Sequence, residues 1–260
     1  MLIIKLGGSV ITNKKKQSQF KPEVTNNLAK EIKKADKELI VIHGAGSFGH
    51  ILAKQFKLKN GYKKEGQRMG FAFTHAQVQT LNTLVLKYLH ANNIPAVSLP
   101  PHAICMLEDH RLDKIDFEIF NNYLIKKLTP VTFGDVVLDK KHGFSICSGD
   151  LLMEALAGYF KPEKVIFVMD EDGLYEANPK VEKNAKFISS ATVEDLKSLS
   201  TTISSYPDVT AGMKGKIDTI ENIAGYGVDT ILINGNKKGR LYRALTGKKV
   251  VCSIVYGGGK

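Results

Sequence analysis

The sequence predicts an α/β fold with a mainly parallel β-sheet, and three observations carry that prediction. First, short apolar, β-branched runs recur: MLIIKL at 1–6, LIVI at 39–42, IPAVSL at 94–99, KVIFVM at 164–169 and DTILING at 229–235. They are continuous rather than alternating, as strands covered on both faces are. Second, stretches of helical character separate them, and alternation of this kind marks crossover connections between parallel strands. Third, glycines gather just past strand ends, at Gly7-Gly8 and at Gly44, Gly46 and Gly49. Open α/β sheets bind their ligands off those carboxyl ends.

Taken in order, the first strand carries Lys5. An unpaired ammonium buried in a central strand is costly, so Lys5 either escapes to solvent or faces an anion, and its place near the carboxyl end favours the anion. Thr12–Gln19 is a polar loop with three successive lysines, at most one of which is expected at a site. Lys21–Ala35 reads as a helix leading into the second strand. HGAGSFGH then supplies a glycine turn and a helix start, whose free N–H groups suit an anion. Phe56–Gly70 is glycine-punctuated and basic, which suggests a mobile flap, and Gly70–Asn92 reads as a long helix. Phe117–Leu128 is a helix, 129–139 a strand pair around Gly134-Asp135, and FSICSGD leads into a helix at whose start Asp150 fits as an N-cap.

After Lys161-Pro162 the pattern restarts. KVIFVM ends in DEDGLY, which fits acids near a ribose or a turn. VTAGMKGK opens a helix with Lys214 and Lys216 in or near its first turn, where cations oppose the helix dipole unless an anion lies between them. A strand at 229–235, a short helix at 239–245 and a last strand at 249–256 follow, and the GGGK tail is expected to fray. The chain divides into halves at about residue 160.

Composition narrows the function. Of 260 residues, 43% are hydrophobic and 24% charged, which suits a globular core. No apolar run nears the ~18 residues of a membrane span, and the chain opens into a strand with no signal-peptide layout. Cys105, Cys147 and Cys252 are far apart and form no Cys-x-x-Cys, as expected of thiols in a reducing cytoplasm. Net charge is +11, but the lysines are dispersed and no nucleic-acid-binding signature stands out. The charge also permits anionic lipid or phosphorylated metabolites as partners.

The glycine turn overlaps two known fingerprints and satisfies neither. Gly44-x-Gly46-x-x-Gly49 has dinucleotide spacing, but that pattern wants an acid about 20 residues on, closing a strand. Glu65 is the nearest candidate and lies in no strand. As a Walker A loop the turn carries His50 where lysine should be. A nicotinamide oxidoreductase therefore rests on glycine spacing alone, and a phosphate-binding regulatory protein would keep the loops without catalysis.

KLGGSVIT, HGAGSFGH, GDVVLD, SGD before a helix, DEDGLY and DVTAGMKGK occur in the order seen in the amino acid kinase superfamily, and the resemblance spans essentially the whole chain. Within it the chain most resembles the isopentenyl phosphate kinases, because His50 closes the glycine loop; fosfomycin kinases share that histidine. The resemblance implies a three-layer αβα sandwich, with a substrate-binding N-terminal lobe over 1–160 and a nucleotide-binding C-terminal lobe over 161–260. It also implies Mg2+ and ATP, isopentenyl phosphate as acceptor, and a homodimer. By matched position, Lys5 and Lys216 would hold ATP phosphates and the migrating group, Lys14 would stabilise the transition state, and Asp150 would orient the lysines. His50 with Gly44, Gly49 and Gly149 would bind the substrate phosphate. Gly7, Gly8, Ser9, Ala45, Asp170, Tyr175 and Gly212 would contact the nucleotide.

Some positions depart from the family pattern: Ala45 for a glycine, Ala211 for a glycine, Glu171 for an aliphatic residue and Cys252-Ser253 for Gly-Thr. None removes a proposed catalytic side chain. Ala45 is tolerable if its φ is negative. No carboxylate cage for magnesium stands out, so the ion is expected on ATP phosphates and water. Phe71–Leu86 and Ile146 are the expected walls around an apolar tail.

Overall fold

The computed structural model describes residues 1–204 and 211–258, with side chains described outside 199–214. The first half runs β1 (Leu2–Leu6), α1 (Gly8–Ile11), α2 (Pro22–Ala35), β2 (Leu39–His43), α3 (Gly46–Gln55), α4 (Gln67–Ala91), β3 (Ala96–Ser98) and α5 (Pro101–Ile104). It continues with β4 (Cys105–Glu108), β5 (Arg111–Ile115), α6 (Phe117–Ile125), β6 (Thr129–Phe133), β7 (Asp135–Asp139), β8 (Gly143–Cys147) and α7 (Gly149–Phe160). The second half holds β9 (Lys164–Met169), β10 (Leu174–Tyr175), β11 (Phe187–Ile188), β12 (Ser190–Ala191) and α8 (Val193–Ser204). It ends with α9 (Ala211–Gly225), β13 (Asp229–Asn234), α10 (Arg240–Leu245) and β14 (Ser253–Val255).

An eight-stranded sheet in the order β12-β14-β13-β9-β1-β2-β6-β3 organises the chain. Every pairing in it is parallel except β13 with β14. Strands from the first half lie on one side and strands from the second on the other, with β1 beside β9 at the seam. Side chains alternate between the faces of a strand, and here the alternation sorts two cores. Leu2, Ile4 and Leu6 pack with α2, α4 and α10 through residues such as Leu28, Leu81 and Leu241. Ile3, Ile42 and Phe167 pack with α7 and α9 through Leu152, Leu156 and Ile220. The result is a three-layer α/β/α arrangement, as the resemblance implies.

The sequence reading passed over 105–116, where β4 and β5 form a hairpin within a second, four-stranded sheet, β5-β4-β7-β8. Arg111–Ile115 is largely exposed, so no apolar run announces it. The expected flap is also more anchored than its composition suggests. Leu58 is fully buried, and the Gln67 side chain accepts from the N–H groups of Lys63 and Lys64 and donates to the Phe56 carbonyl. The first two residues of the GGGK tail are tied as well, Gly257 donating its N–H to Asp229 and Gly258 to the Ala224 carbonyl, while Gly259 and Lys260 lie outside the described residues. No helix among the described residues is long and apolar enough to cross a membrane.

Candidate active site

Three strand ends and three helix starts meet at the seam of the sheet. The Gly7 N–H donates to the Val168 carbonyl at 2.8 Å, the Gly44 N–H to Leu6 at 3.0 Å and the Gly134 N–H to His43 at 3.0 Å, which locks the loops after β1, β2 and β6 together. The first two loops touch backbone to backbone. A Cβ on Gly8 would lie 2.6 Å from the Gly46 backbone, so a side chain there would prise them apart. Gly46 adopts φ +51°, the left-handed region that favours glycine. Ala45 has φ −64°, so its methyl group causes no backbone strain. The starts of α3 and α7 thus line one space, and helix N-termini favour anions.

Lys5 enters this space from below. The alternation along β1 turns it toward α7 and α9, and it is buried beside Phe167, its neighbour in register. Its Nζ lies 2.5 Å from Asp150 Oδ1, and Lys216 Nζ lies 3.1 Å from the same oxygen. Both ammonium groups also sit over the Phe167 ring, at 5.7 and 4.9 Å. Asp150 is not the cap of α7. Ser148 fills that role, accepting the Leu151 N–H at 3.0 Å, which frees the Asp150 carboxylate for the lysines. Gly149 makes room: a Cβ there would approach Lys5 Cε at 3.0 Å.

Two ammonium groups share one carboxylate, and the imbalance shows in the titration. Burial, then the neighbouring Lys216 charge, lowers the Lys5 pKa from 10.5 to about 8 despite Asp150. Burial pushes Asp150 up, but the two lysines outweigh it and hold the carboxyl at about 2. Solvent reaches the His50 ring through the opening above. Its walls and then the charges of Lys5 and Lys14 still lower its pKa, against a smaller pull from Asp150, so at neutral pH His50 offers a neutral N–H.

Two cavities open from this junction. The larger, about 520 Å³, is bounded by Gly7, Ser9, Phe167, Asp170, Tyr175 and Lys180. The smaller, about 130 Å³, runs between α3, α4 and β8 and has apolar walls from Ala53, Val78, Val136 and Ile146. Lys5, Gly8 and His50 line both. Each cavity also holds a buried hydroxyl with no partner within the protein, Ser47 in the larger and Thr74 in the smaller. Unpaired buried hydroxyls are uncommon in folded proteins.

The structure brings most of the expected site residues together. Lys5, His50, Asp150 and Lys216 surround the junction, and Gly44, Gly49 and Gly149 line the smaller cavity. Gly7, Gly8, Ser9, Asp170 and Tyr175 line the larger one. Lys14 stands at its exposed rim, 3.3 Å from Asp170. Ala45, expected against the nucleotide, lines the smaller cavity instead, because the turn of α3 carries it to the α4 side. Gly212 lies among residues whose surroundings are not described. Of the expected tail walls, Thr74, Val78 and Ile146 line the cavity, whereas Phe71 does not and packs on Phe144, in the same apolar cluster as the wall residues Ala53, Val136 and Ile146.

Sequence reasoning missed Lys180, which pairs with Asp170 at 2.7 Å and Glu171 at 2.8 Å across the larger cavity. Together with Lys14 and the Ser9 hydroxyl it holds Asp170 well below the usual carboxylate range, overcoming the upward push of burial. Nothing in its polar loop distinguished it from other lysines. Also missed was Asp135, read as a turn residue: its carboxylate is fully buried and accepts from His75 Nδ1 at 2.8 Å.

The amino acid kinase family pattern matches residues 1–234. Among curated proteins, the chain is 38% identical to isopentenyl phosphate kinase of Methanothermobacter thermautotrophicus, covering 96% of this chain and 97% of that one. It is 33% identical to the isopentenyl phosphate kinase of Methanocaldococcus jannaschii, covering 95% and 96%. Among solved structures, an isopentenyl phosphate kinase aligns with a TM-score of 0.87 at 35% identity over 98% of this chain and 99% of that one. A substrate complex of isopentenyl phosphate kinase aligns at 0.82 with 26% identity over 98% and 100%. The chain belongs to the amino acid kinase family, in the group of the isopentenyl phosphate kinases.

Proposed function

We propose that this protein transfers the γ-phosphoryl group of ATP to isopentenyl phosphate, giving isopentenyl diphosphate and ADP. The observation that carries the proposal is the junction itself: two cavities of unequal size meet at Lys5, Gly8 and His50, with Lys216 and Asp150 beside them. About 520 Å³ is ample for a nucleotide, within the ~300–1,000 Å³ range of ligand pockets. About 130 Å³ is too small for one but suits a short alkyl chain. At ~0.8 kcal/mol per buried CH₂, a five-carbon tail between Val78, Val136 and Ile146 contributes a few kcal/mol. In this reading the residues before about 160 form the acceptor lobe and those after it the nucleotide lobe, with β1 and β9 at the seam.

The acceptor phosphate is anionic at neutral pH and needs no strong base. The obstacle is repulsion, about 4 kcal/mol per pair of unit charges at 4 Å and an effective dielectric of 20. Lys5 and Lys216 supply one positive charge beyond what Asp150 neutralises, at the point where the two phosphates approach. Asp150 holds the two ammonium groups in position before substrate arrives, so little reorganisation is needed during transfer. His50, neutral, donates to the acceptor phosphate without repelling Lys5. The α3 and α7 N-termini add N–H donors, and Lys14 closes on the transferred group from the rim. Positioning and charge stabilisation of this kind make up most of phosphoryl-transfer catalysis.

The carboxylates of the junction and of the larger cavity are engaged, Asp150 by Lys5 and Lys216 where the cavities meet, Asp170 and Glu171 by Lys180 in the larger one. Magnesium fits here as an ion carried on the nucleotide phosphates and water, where it neutralises their charge. The free thiols of Cys105, Cys147 and Cys252 suit a reducing cytoplasm. Exposed Ile125 and Tyr159 on α6 and α7 offer apolar surface for the family's homodimer.

A coupled ADP-release screen over isopentenyl phosphate, dimethylallyl phosphate, fosfomycin, acetylglutamate and uridylate tests the reading. Isopentenyl phosphate is expected to give the highest kcat/KM, with dimethylallyl phosphate accepted in part because one change of tail shape is worth little. Preference for fosfomycin or for an acceptor without a phosphate would overturn it.

A further inference from the structure

We propose that His75, His102 and Asp135 form a binding site for a divalent transition-metal ion of the zinc class, set in the wall of the smaller cavity. The three side chains come from α4, α5 and β7, and their ligand atoms all lie within 4.8 Å of one another. Asp135 Oδ2 is 2.8 Å from His75 Nδ1 and 3.9 Å from His102 Nδ1. A tetrahedral ion with bonds of about 2.0–2.1 Å sets its ligand atoms about 3.3 Å apart. The observed pair of distances brackets that value, so small side-chain rotations admit the ion in place of the proton His75 shares with Asp135.

The surroundings are those of a metal site rather than of a simple ion pair. Asp135 Oδ1 accepts the Val136 N–H at 2.8 Å, which fixes the carboxylate and aims Oδ2 at the two rings. The rings meet edge to face at 4.1 Å and 69°, with both Nδ1 atoms turned to the same oxygen. The Gln79 amide lies 3.4 Å from His75 Nε2. With its oxygen turned to the ring it accepts the Nε2 proton, and Nδ1 is left as the ligating nitrogen. A buried aspartate with one histidine is already satisfied, and the second histidine makes no hydrogen bond to it, since His102 Nδ1 at 3.9 Å is beyond hydrogen-bond reach of the carboxylate. Two imidazoles and one carboxylate favour zinc, copper, nickel or cobalt over magnesium or calcium, which prefer oxygen donors. The side chains of His75 and His102 are 23% and 37% exposed, which gives the ion a way in and leaves its fourth position to water.

A second histidine cluster, Asp109, His110 and His142, is a poorer host. Its carboxylate is taken by Lys141 at 2.8 Å and His142 at 2.8 Å, and its His110 and His142 rings stack face to face at 14°. The proposed site stands apart from the phosphoryl-transfer reading, since none of its donors is a lysine or histidine of the junction. Its occupation would nonetheless join α4 and α5 to β7 around the cavity.

The test uses the full untagged chain, stripped with chelator, loaded with Zn²⁺, passed through gel filtration and analysed for metal by mass spectrometry. Cobalt loading with visible spectroscopy serves as an independent reading of nitrogen and carboxylate ligation. Wild type is expected to retain one zinc per chain, and His102→Ala to lose zinc affinity by about 100-fold or more, beyond the effect of disturbing an outer partner. His142→Ala is expected to bind as wild type does. His102 accepts no hydrogen bond that the fold needs, so the metal-free variant keeps its circular dichroism and its ADP release. His75→Gln provides a second loss variant. Absence of retained zinc in the wild type overturns the proposal, as does retention unchanged in His102→Ala or loss in His142→Ala.

Discussion

Replacing Lys5 by methionine isolates the energetic cost of the charge at the centre of the site. The fall of its pKa from 10.5 to about 8 corresponds to roughly 3 kcal/mol against the ammonium in the folded protein, with its attraction to Asp150 already included. Methionine is similar in length, packs on Phe167 and leaves Asp150 its 3.1 Å contact with Lys216. Lys5→Met is therefore expected to raise stability at pH 7 by about 1–3 kcal/mol, as apolar replacement of buried charge often does, while lowering kcat at least about 100-fold. The folded pKa lies below the unfolded one. Between pH 8 and 10.5 the unfolded chain therefore holds a proton that the folded wild type has released, so wild-type stability rises with pH across that window. The advantage of the variant should shrink there, by up to about 1.4 kcal/mol per pH unit. Urea unfolding of both proteins at pH 7 and across the window measures this, with ADP release run in parallel. A variant less stable than wild type at pH 7, or an advantage that grows with pH, would refute the reasoning.

Four further outcomes follow from the same geometry. His50→Ala should lower kcat/KM for isopentenyl phosphate about 10- to 100-fold, the worth of a hydrogen bond to a charged group, while ATP affinity by calorimetry stays unchanged; normal turnover would remove its role. Lys216→Ala should weaken ATP binding and lower kcat together, since it leaves Asp150 with Lys5 alone, and unchanged nucleotide affinity would count against it. Ile146→Ala should raise KM for isopentenyl phosphate up to about tenfold and improve longer alkyl phosphates, at ~0.8 kcal/mol per CH₂; an unaltered chain-length profile would place the tail elsewhere. Lys180→Ala should release Asp170 and Glu171 and weaken ATP binding with little change in KM for the acceptor, which steady-state kinetics with each substrate varied would reveal.

The parts of this arrangement that were legible in the sequence are those the backbone dictates. Continuous β-branched runs announced the strands at Leu2–Leu6, Leu39–His43 and Lys164–Met169 because both faces are covered. Lys5 was conspicuous because an ammonium in such a run demands an anion. The glycines at 8, 44 and 46 were conspicuous because two loops cannot touch otherwise. What escaped depended on partners distant in the chain. Arg111–Ile115 has an exposed face and no apolar signature. Asp135 looked like half of a Gly-Asp turn until α4 laid His75 across it. Asp150 fitted an N-cap by position, and only the presence of Ser148 in that role shows where its carboxylate goes. Lys180 acts through its reach to Asp170, ten residues away along a polar loop.

In the proposed reaction the two cavities are halves of one path joined at Lys5, Lys216 and His50. Rapid-quench single turnover with γ-labelled ATP and isopentenyl phosphate tests it most directly. The label is expected to pass from ATP to isopentenyl diphosphate in one phase, with none bound to protein at any time. Label trapped on the protein, or ATP consumed at the same rate without acceptor, would contradict it.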